Sequence, residues 1–207
     1  MKLRNILINW SIEFAPIMIY FAMLAAYGDT QAGFVISTGV FTLCTILALV
    51  VAYVREGRVA IFAAVAGAFI VCFGAATVWL DNPHVFMFEA TAYNGFFALV
   101  LLPGLLVGKG NLKVFFIGLF DLKEEGWFKL SLHYFILFAV IAITNEFIWR
   151  TYSQEVWIIT KYVASASTIA LGFAEIPLGK KYRNPTASAW GVRVTSKSDA
   201  KRMAKAQ

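Results

Sequence analysis

Residues 33–54 read GFVISTGVFTLCTILALVVAYV and residues 59–80 read VAIFAAVAGAFIVCFGAATVWL; neither stretch contains a charged side chain. About 20 apolar residues in an α-helix cross the hydrocarbon core of a bilayer, which is roughly 30 Å thick. Both stretches reach that length. The whole chain is 60% apolar and 14% charged, whereas soluble proteins average about 45–50% and about 25%. The two stretches therefore predict transmembrane helices.

Further apolar stretches extend this pattern along the chain. The predicted spans are residues 9–27, 33–54, 59–80, 85–108, 130–149 and 155–178. We therefore predict an all-α membrane protein, a bundle of about six transmembrane helices within residues 1–183. Residues 111–120 are apolar but too short to span; they are expected either to lie in the interface or to extend the fourth helix inward. Residues 184–207 are basic and polar, which predicts a tail of low order.

The distribution of Lys and Arg predicts the orientation of the bundle. With six spans, nearly all of the 18 Lys and Arg residues fall on the side that carries both ends of the chain. The other side receives Arg150, and Lys161 lies inside the last predicted span. Since cytoplasmic loops carry the excess of positive charge, both termini are predicted to be cytoplasmic. This topology and attraction to anionic headgroups explain the formal charge of +6, so no nucleic-acid partner is predicted.

Ionisable side chains inside the predicted spans are the candidate functional residues, because a charge in lipid is costly. We predict two ion pairs, Glu146 with Arg150 and Glu89 with Lys161, all in the outer half of the bundle. Arg150 follows Glu146 by four residues, so both lie on one helix face. The predicted intramembrane polar network consists of Glu89, Asn94, Asn145, Glu146, Arg150 and Lys161.

This network has two interpretations. In the structural one, the ion pairs fix the register of the helices, as buried ionic groups do in some proteins. In the functional one, they form a polar pocket that opens outward and binds a headgroup, an ion or a proton. The sequence alone leaves both interpretations open.

The sequence contains no recognisable catalytic, cofactor or metal motif. Cys44 and Cys72 fall in the middle of apolar stretches, and His84 and His133 lie far apart, so none of them has metal-ligand spacing. A phosphate-binding glycine-rich loop is also absent. We therefore predict a protein that is not an enzyme and that takes no cofactor.

Residues 145–150 read NEFIWR at the end of a predicted helix, and Trp157 and Lys161 follow. This arrangement resembles the Asn-Glu-x-x-Trp-Arg segment, and the Trp-x-x-x-Lys segment after it, of the intracellular septation protein A family. Shorter matches occur in the order of the family at residues 13–16 (EFAP), 73–77 (FGAAT) and 126–127 (GW). The resemblance extends over roughly residues 11–183.

The sequence departs from the family pattern after the third predicted helix. The family usually has a Phe-Ile-Lys-x-Lys-Pro-Thr run there, whereas residues 85–91 read VFMFEAT. Both lysines and the proline are absent, and Glu89 occupies one of the lysine positions. His133 stands where the family has an arginine. A specialised paralogue with lost or changed activity is therefore an open alternative.

The resemblance implies a multi-pass protein of a Gram-negative inner membrane that is linked to septation, cell division and the cell envelope, with no established catalytic activity. The leading hypothesis is a non-enzymatic protein that acts through membrane lipids or other membrane proteins, such as division and envelope proteins. One alternative is a structural accessory subunit of a larger respiratory or photosynthetic complex. Another is a small transporter or lipid-handling protein that uses the polar network as its site.

Overall fold

Helices make up nearly all of the described chain. The computed structural model describes residues 3–27, 30–56, 61–116, 120–189 and 191, with residues 3–14 and 55–56 described by their backbone alone. The helices are α1 (Leu3–Tyr27), α2 (Gln31–Glu56), α3 (Ile61–Leu80), α4 (Pro83–Leu106), α5 (Lys113–Phe116), α6 (Glu124–Thr151), α7 (Gln154–Ala174) and α8 (Ile176–Lys181). An isolated β-bridge joins Leu122 to Arg183.

Five helical segments of the described chain are long and apolar enough to cross a membrane. They contain α2, α3, α4, α6 and α7, and the described apolar part of α1 is the shorter segment Ala15–Tyr27. These helices coincide with the six stretches predicted from the sequence. The predicted all-α membrane fold is therefore confirmed, while the cytoplasmic placement of both termini stays a prediction.

The ends of two helices differ from the sequence prediction for local reasons. Helix α7 ends at Ala174, before the predicted end at residue 178, and α8 follows with Pro177 in its first turn. A proline inside a continuous helix would remove one hydrogen bond and clash with the preceding turn. Helix α6 begins at Glu124, before the predicted start at residue 130, and Glu124 and Glu125 favour its N-terminus electrostatically.

The segment after α4 turns away instead of extending that helix. Gly108 has a φ of +72°, a conformation that glycine adopts without steric penalty. Lys109 N donates to Gly104 O at 2.7 Å, and Gly108 N donates to Leu105 O at 3.1 Å. These two bonds form a Schellman motif, which ends a helix. The interpretation that residues 111–120 extend the fourth helix is therefore wrong, and they contain the short helix α5 instead.

The chain forms two compact units, of which the first comprises Met1–Tyr93 and Ile143–Lys161. Helices α2 and α3 approach closely in this unit at Gly74, where a Cβ atom would lie 1.9 Å from Thr42 Oγ1. The buried hydroxyl of Thr42 donates to Thr38 O at 2.8 Å within its own helix. A small residue at this contact and a satisfied hydroxyl are typical of helix packing in lipid.

The second unit comprises Asn94–Ala142 and Tyr162–Gln207. In this unit residues 182–189 and 191 pack on the loop of residues 120–123, and we call this arrangement the tail clasp. Asn184 N donates to Asp121 O at 3.0 Å, and Asp121 N donates to Gly191 O at 2.8 Å. Ala187 is fully buried. Part of the predicted tail is thus in contact with the unit. Residues 192–207 lie outside the described residues, and their low order stays a prediction.

Candidate functional site

The structure contains both ion pairs that the sequence predicts. Glu89 on α4 faces Lys161 on α7, with 3.5 Å between Oε2 and Nζ. Only 7% of the Glu89 side chain and 18% of the Lys161 side chain are exposed. On α6, Arg150 Nε lies 2.5 Å from Glu146 Oε1, and these side chains are 60% and 32% exposed. The first pair is therefore shielded from solvent, whereas the second lies at the surface.

Aromatic rings surround the ammonium group of Lys161. Its Nζ lies 4.5 Å from the ring centre of Phe86, 5.0 Å from that of Trp157 and 5.5 Å from that of Tyr20. A cation within about 6 Å of a ring centre is attracted to the negative face of the ring. The rings and the Glu89 carboxylate together offset part of the cost of removing the ammonium group from water. The arrangement holds one positive charge in a fixed position.

Asn145 joins three helices through its side-chain amide. Its Nδ2 donates to Met87 O and to Thr91 Oγ1 on α4, each at 2.9 Å. Its Oδ1 accepts from Trp157 Nε1 on α7 at 2.9 Å. Both donor hydrogens of the amide and its acceptor oxygen are used. Since Trp157 also contacts Lys161, Asn145 and the buried ion pair belong to one cluster.

Trp149 connects the surface ion pair to its surroundings. Its Nε1 donates to Glu146 Oε2 at 2.9 Å, and the Arg150 guanidinium carbon lies 4.5 Å from the centre of a Trp149 ring. Glu146 therefore binds Arg150 with one oxygen and Trp149 with the other. An exposed ion pair contributes only about 0–1 kcal/mol to stability, and this pair also contacts the Trp149 indole through both of its side chains.

The six residues of the predicted network are divided between the two units. Asn145, Glu146, Arg150, Glu89 and Lys161 all lie in the first unit, in the two arrangements just described. Asn94 is also buried, with 7% exposed, but it belongs to the second unit. Its membership of the predicted network stays a prediction.

Sequence reasoning missed several contacts. In the second unit, His133 Nδ1 on α6 lies 2.6 Å from Oε1 of Glu175, the residue between α7 and α8. No local spacing signals this pair, because 42 positions separate the two residues. The contact between Trp157 and Lys161 could have been predicted from the sequence, because side chains four positions apart share a helix face.

Two surface cavities lie in the described part of the chain. One, of about 440 Å³, lies in the second unit beside the tail clasp and is lined in part by Lys113, Lys123 and Asn184. The other, of about 410 Å³, lies in the first unit and is lined in part by His84 and Trp149. The buried pair of Glu89 and Lys161 lines neither cavity. Among the described residues, no group of three or more His, Cys, Asp and Glu side chains is placed to hold a metal ion.

The fold and the buried polar cluster together define a multi-pass membrane protein in which the charges of Glu89 and Lys161 are paired with each other. The chain belongs to the intracellular septation protein A family, whose model matches residues 8–183. The contacts of residues 184–189 and 191 in the tail clasp therefore lie beyond the part that the family model matches.

Comparison with curated proteins finds relatives described as inner membrane-spanning protein YciB. The relative from Rhizobium meliloti (strain 1021) is 31% identical over 187 residues, which cover 85% of this chain and 89% of the relative. The relative from Brucella melitensis biotype 1 is 30% identical over 187 residues, which cover 85% of this chain and 94% of the relative. No solved structure matches. The chain is a multi-pass inner-membrane protein of this family.

Proposed function

We propose that the chain is a non-enzymatic protein of the septation and envelope-maintenance type that acts through protein or lipid partners. The supporting observation is that charged side chains are buried and paired in one part of the structure and exposed in another. The buried charges of Glu89 and Lys161 are paired with each other. Several charged side chains around the tail clasp are instead exposed on a folded segment outside the apolar spans.

Charged side chains lie on the segment after α4 and at the start of α6, near the tail clasp. We call Lys109, Lys113, Lys123 and Glu124 the clasp face. Lys113 Nζ pairs with Glu124 Oε1. Lys109 and Lys123 are exposed, and neither forms an ion pair with another described residue. These two ammonium groups are available to a partner.

The backbone beneath the clasp face is held by side-chain contacts of the tail. Asn184 Nδ2 donates to Asp121 Oδ1 at 2.6 Å and to Leu122 O at 3.2 Å. Thr186 Oγ1 donates to Asp121 Oδ2 at 3.0 Å. Charges on a fixed frame select a partner by electrostatic complementarity. On the side predicted to be cytoplasmic, the same charges attract acidic protein surfaces or anionic headgroups.

The test is mild-detergent purification of the tagged full-length chain from its own host, followed by mass spectrometry of the accompanying proteins and lipids. We expect division or envelope-synthesis proteins, or a retained anionic lipid. The double variant Lys109→Glu/Lys123→Glu should lose that partner. The control variant Glu155→Gln changes an exposed charge at the start of α7, and it should keep the partner.

The two alternative functions have their own outcomes in this experiment. Near-stoichiometric subunits of an energy-converting complex would overturn the proposal and assign the chain an accessory role. Exposed apolar side chains such as Trp79, which is 85% exposed on α3, would then be the contact surface. The cavity of the first unit is the observation that favours lipid or solute handling. Because Glu89 and Lys161 do not line it, this cavity is not the site that the alternative assigned to them.

A further inference from the structure

The cavity of the first unit lies where several helix ends meet. It is formed by the first residue of α2, the turn between α3 and α4, and the turn between α6 and α7. Its volume of about 410 Å³ falls within the range of about 300–1,000 Å³ that is typical of small-molecule sites. The side chains relevant to binding are Gln31, Asp81, Asn82, His84, Trp149 and Tyr152.

Hydrogen bonds fix the polar wall of this cavity. Gln31 Nε2 donates to Asp81 O at 2.8 Å, which joins the start of α2 to the turn after α3. Asp81 has a φ of +47°, a left-handed conformation that Asp tolerates better than most residues. Asn82 Oδ1 accepts from His84 N at 3.0 Å and lies 3.1 Å from His84 Nδ1. The bond to His84 N caps α4.

These bonds leave binding groups available. Asn82 Nδ2 and His84 Nε2 have no hydrogen-bond partner among the described residues. The hydroxyl of Tyr152 also has no hydrogen-bond partner among the described residues, and Tyr152 is 51% exposed. The wall therefore offers an amide, an imidazole and a phenol, together with the carboxylate of Asp81.

An aromatic wall adjoins these polar groups. Trp149 lines the cavity, and its indole is held by the hydrogen bond to Glu146 and by the Arg150 guanidinium at 4.5 Å. The His84 ring lies 6.2 Å from the Trp149 ring at an angle of 56°. Glu146 and Arg150 thus act on the cavity as positioning residues, through Trp149.

The charged residues around the cavity limit the class of ligand that it can bind. Among the residues that the structure describes, Asp81 is the one formally charged residue in the lining, and no Lys or Arg lines it. An anion would therefore meet a carboxylate and no cation. A divalent cation would find a single carboxylate, whereas such ions take several oxygen ligands. Neutral donors and acceptors beside an aromatic ring suit a ligand that carries several hydroxyl groups and an apolar C–H face.

We propose that this cavity binds a neutral sugar ring. In this arrangement the hydroxyl groups of the sugar bind Asp81, Asn82 and His84, and its C–H face packs on Trp149. Such a ring is available in water as a free saccharide or at the membrane surface as a glycolipid headgroup. The cavity lies on the side of the membrane predicted to be external, where a free saccharide or a glycolipid headgroup reaches it. The proposal is independent of the partner of the clasp face.

The test uses the purified full-length chain in lipid nanodiscs. Alkyl glycoside detergents must be removed, because their headgroups have the proposed chemistry. One set of samples receives free N,N′-diacetylchitobiose, and a second contains monoglucosyl diacylglycerol in the nanodisc. A third receives inorganic phosphate as a probe for anions. Binding is followed by ligand-observed NMR for the soluble probes and by native mass spectrometry for the lipid.

We expect saturable binding of the sugar in the first or the second set, and the set that binds identifies the source. Asp81→Asn and Asn82→Ala should each weaken binding about tenfold, since the first replaces a charged acceptor with a neutral one and the second removes a hydrogen bond. Because Asn82 also caps α4, Asp81→Asn serves as the variant that keeps the cap. Ser153→Ala, in the neighbouring turn but outside the cavity lining, should bind like the wild type.

Two results would overturn the proposal. One is the absence of saturable sugar binding in both sets by a protein with unchanged helix content and thermal midpoint. The other is phosphate binding that Asn82→Ala abolishes, which would make the cavity an anion site.

Discussion

Replacing Lys161 with Met should destabilise the protein more than replacing Lys161 and Glu89 together. The Lys161→Met change leaves the Glu89 carboxylate, which is only 7% exposed, without its cation. At 3.5 Å, the attraction between two unit charges is about 5 kcal/mol at an effective dielectric constant of about 20. Removing one partner of a buried pair typically costs about 3–5 kcal/mol.

The double variant Lys161→Met/Glu89→Gln removes both charges and keeps both side-chain volumes. Its remaining losses are the contacts of the ammonium group with Phe86, Trp157 and Tyr20, each of which contributes about 0.5–2 kcal/mol when desolvated. We therefore expect a smaller loss for the double variant than for Lys161→Met, with a coupling energy of about 2–3 kcal/mol.

The assay is reversible unfolding in mixed detergent micelles, measured for the wild type, both single variants and the double variant. The control cycle uses Glu146→Gln and Arg150→Met, a pair with exposures of 32% and 60%, and its coupling energy should stay below about 1 kcal/mol. If the effects of Glu89→Gln and Lys161→Met add within about 0.5 kcal/mol, the two residues do not stabilise each other and the reasoning is refuted.

Further predictions concern the polar cluster, the helix packing and the topology. Asn145→Ala should lower the free energy of unfolding by about 1–3 kcal/mol, because it leaves the buried Trp157 indole N–H without an acceptor; Trp157→Phe in the same background should recover part of the loss. Gly74→Ala should cost about 1–3 kcal/mol by overpacking against Thr42, and a thermal midpoint equal to that of the wild type would contradict this. Reporter fusions after Gly28, Asn82 and Thr151 should report an external position and a fusion after Lys181 a cytoplasmic one; an external result at Lys181 would remove one predicted span.

The parts of the structure that depend on local sequence could be predicted. Spans follow from apolar length, because lipid requires each helix to satisfy its own backbone hydrogen bonds. The pair of Glu146 and Arg150 follows from a spacing of four residues. The pair of Glu89 and Lys161 was predicted from the similar depth of the two residues in their spans. Depth is a coarser basis than spacing along one helix, and the 3.5 Å separation of the two side chains confirms the pair.

The contacts that sequence reasoning missed depend on tertiary packing. His133 and Glu175 meet because the turn after Ala174 places Glu175 beside α6. Pro177 signals that turn locally, but nothing in either local sequence indicates which side chain Glu175 contacts. The predicted tail of residues 184–207 is polar and basic as a whole, so composition predicted low order, but the described residues 184–189 and 191 form contacts. Their contacts instead depend on the backbone and carboxylate of Asp121, which accept and donate hydrogen bonds that composition does not reveal.

The most direct test of partner-mediated action is photo-crosslinking in living cells. A photoreactive amino acid replaces Lys123 on the clasp face, and a second strain carries it at Ile143, which is 72% exposed on α6. We predict that position 123 crosslinks to a division or envelope-synthesis protein, or to an anionic lipid, and that position 143 does not yield that product. Crosslinks from position 123 to subunits of an energy-converting complex, or the same products from both positions, would contradict the proposed function.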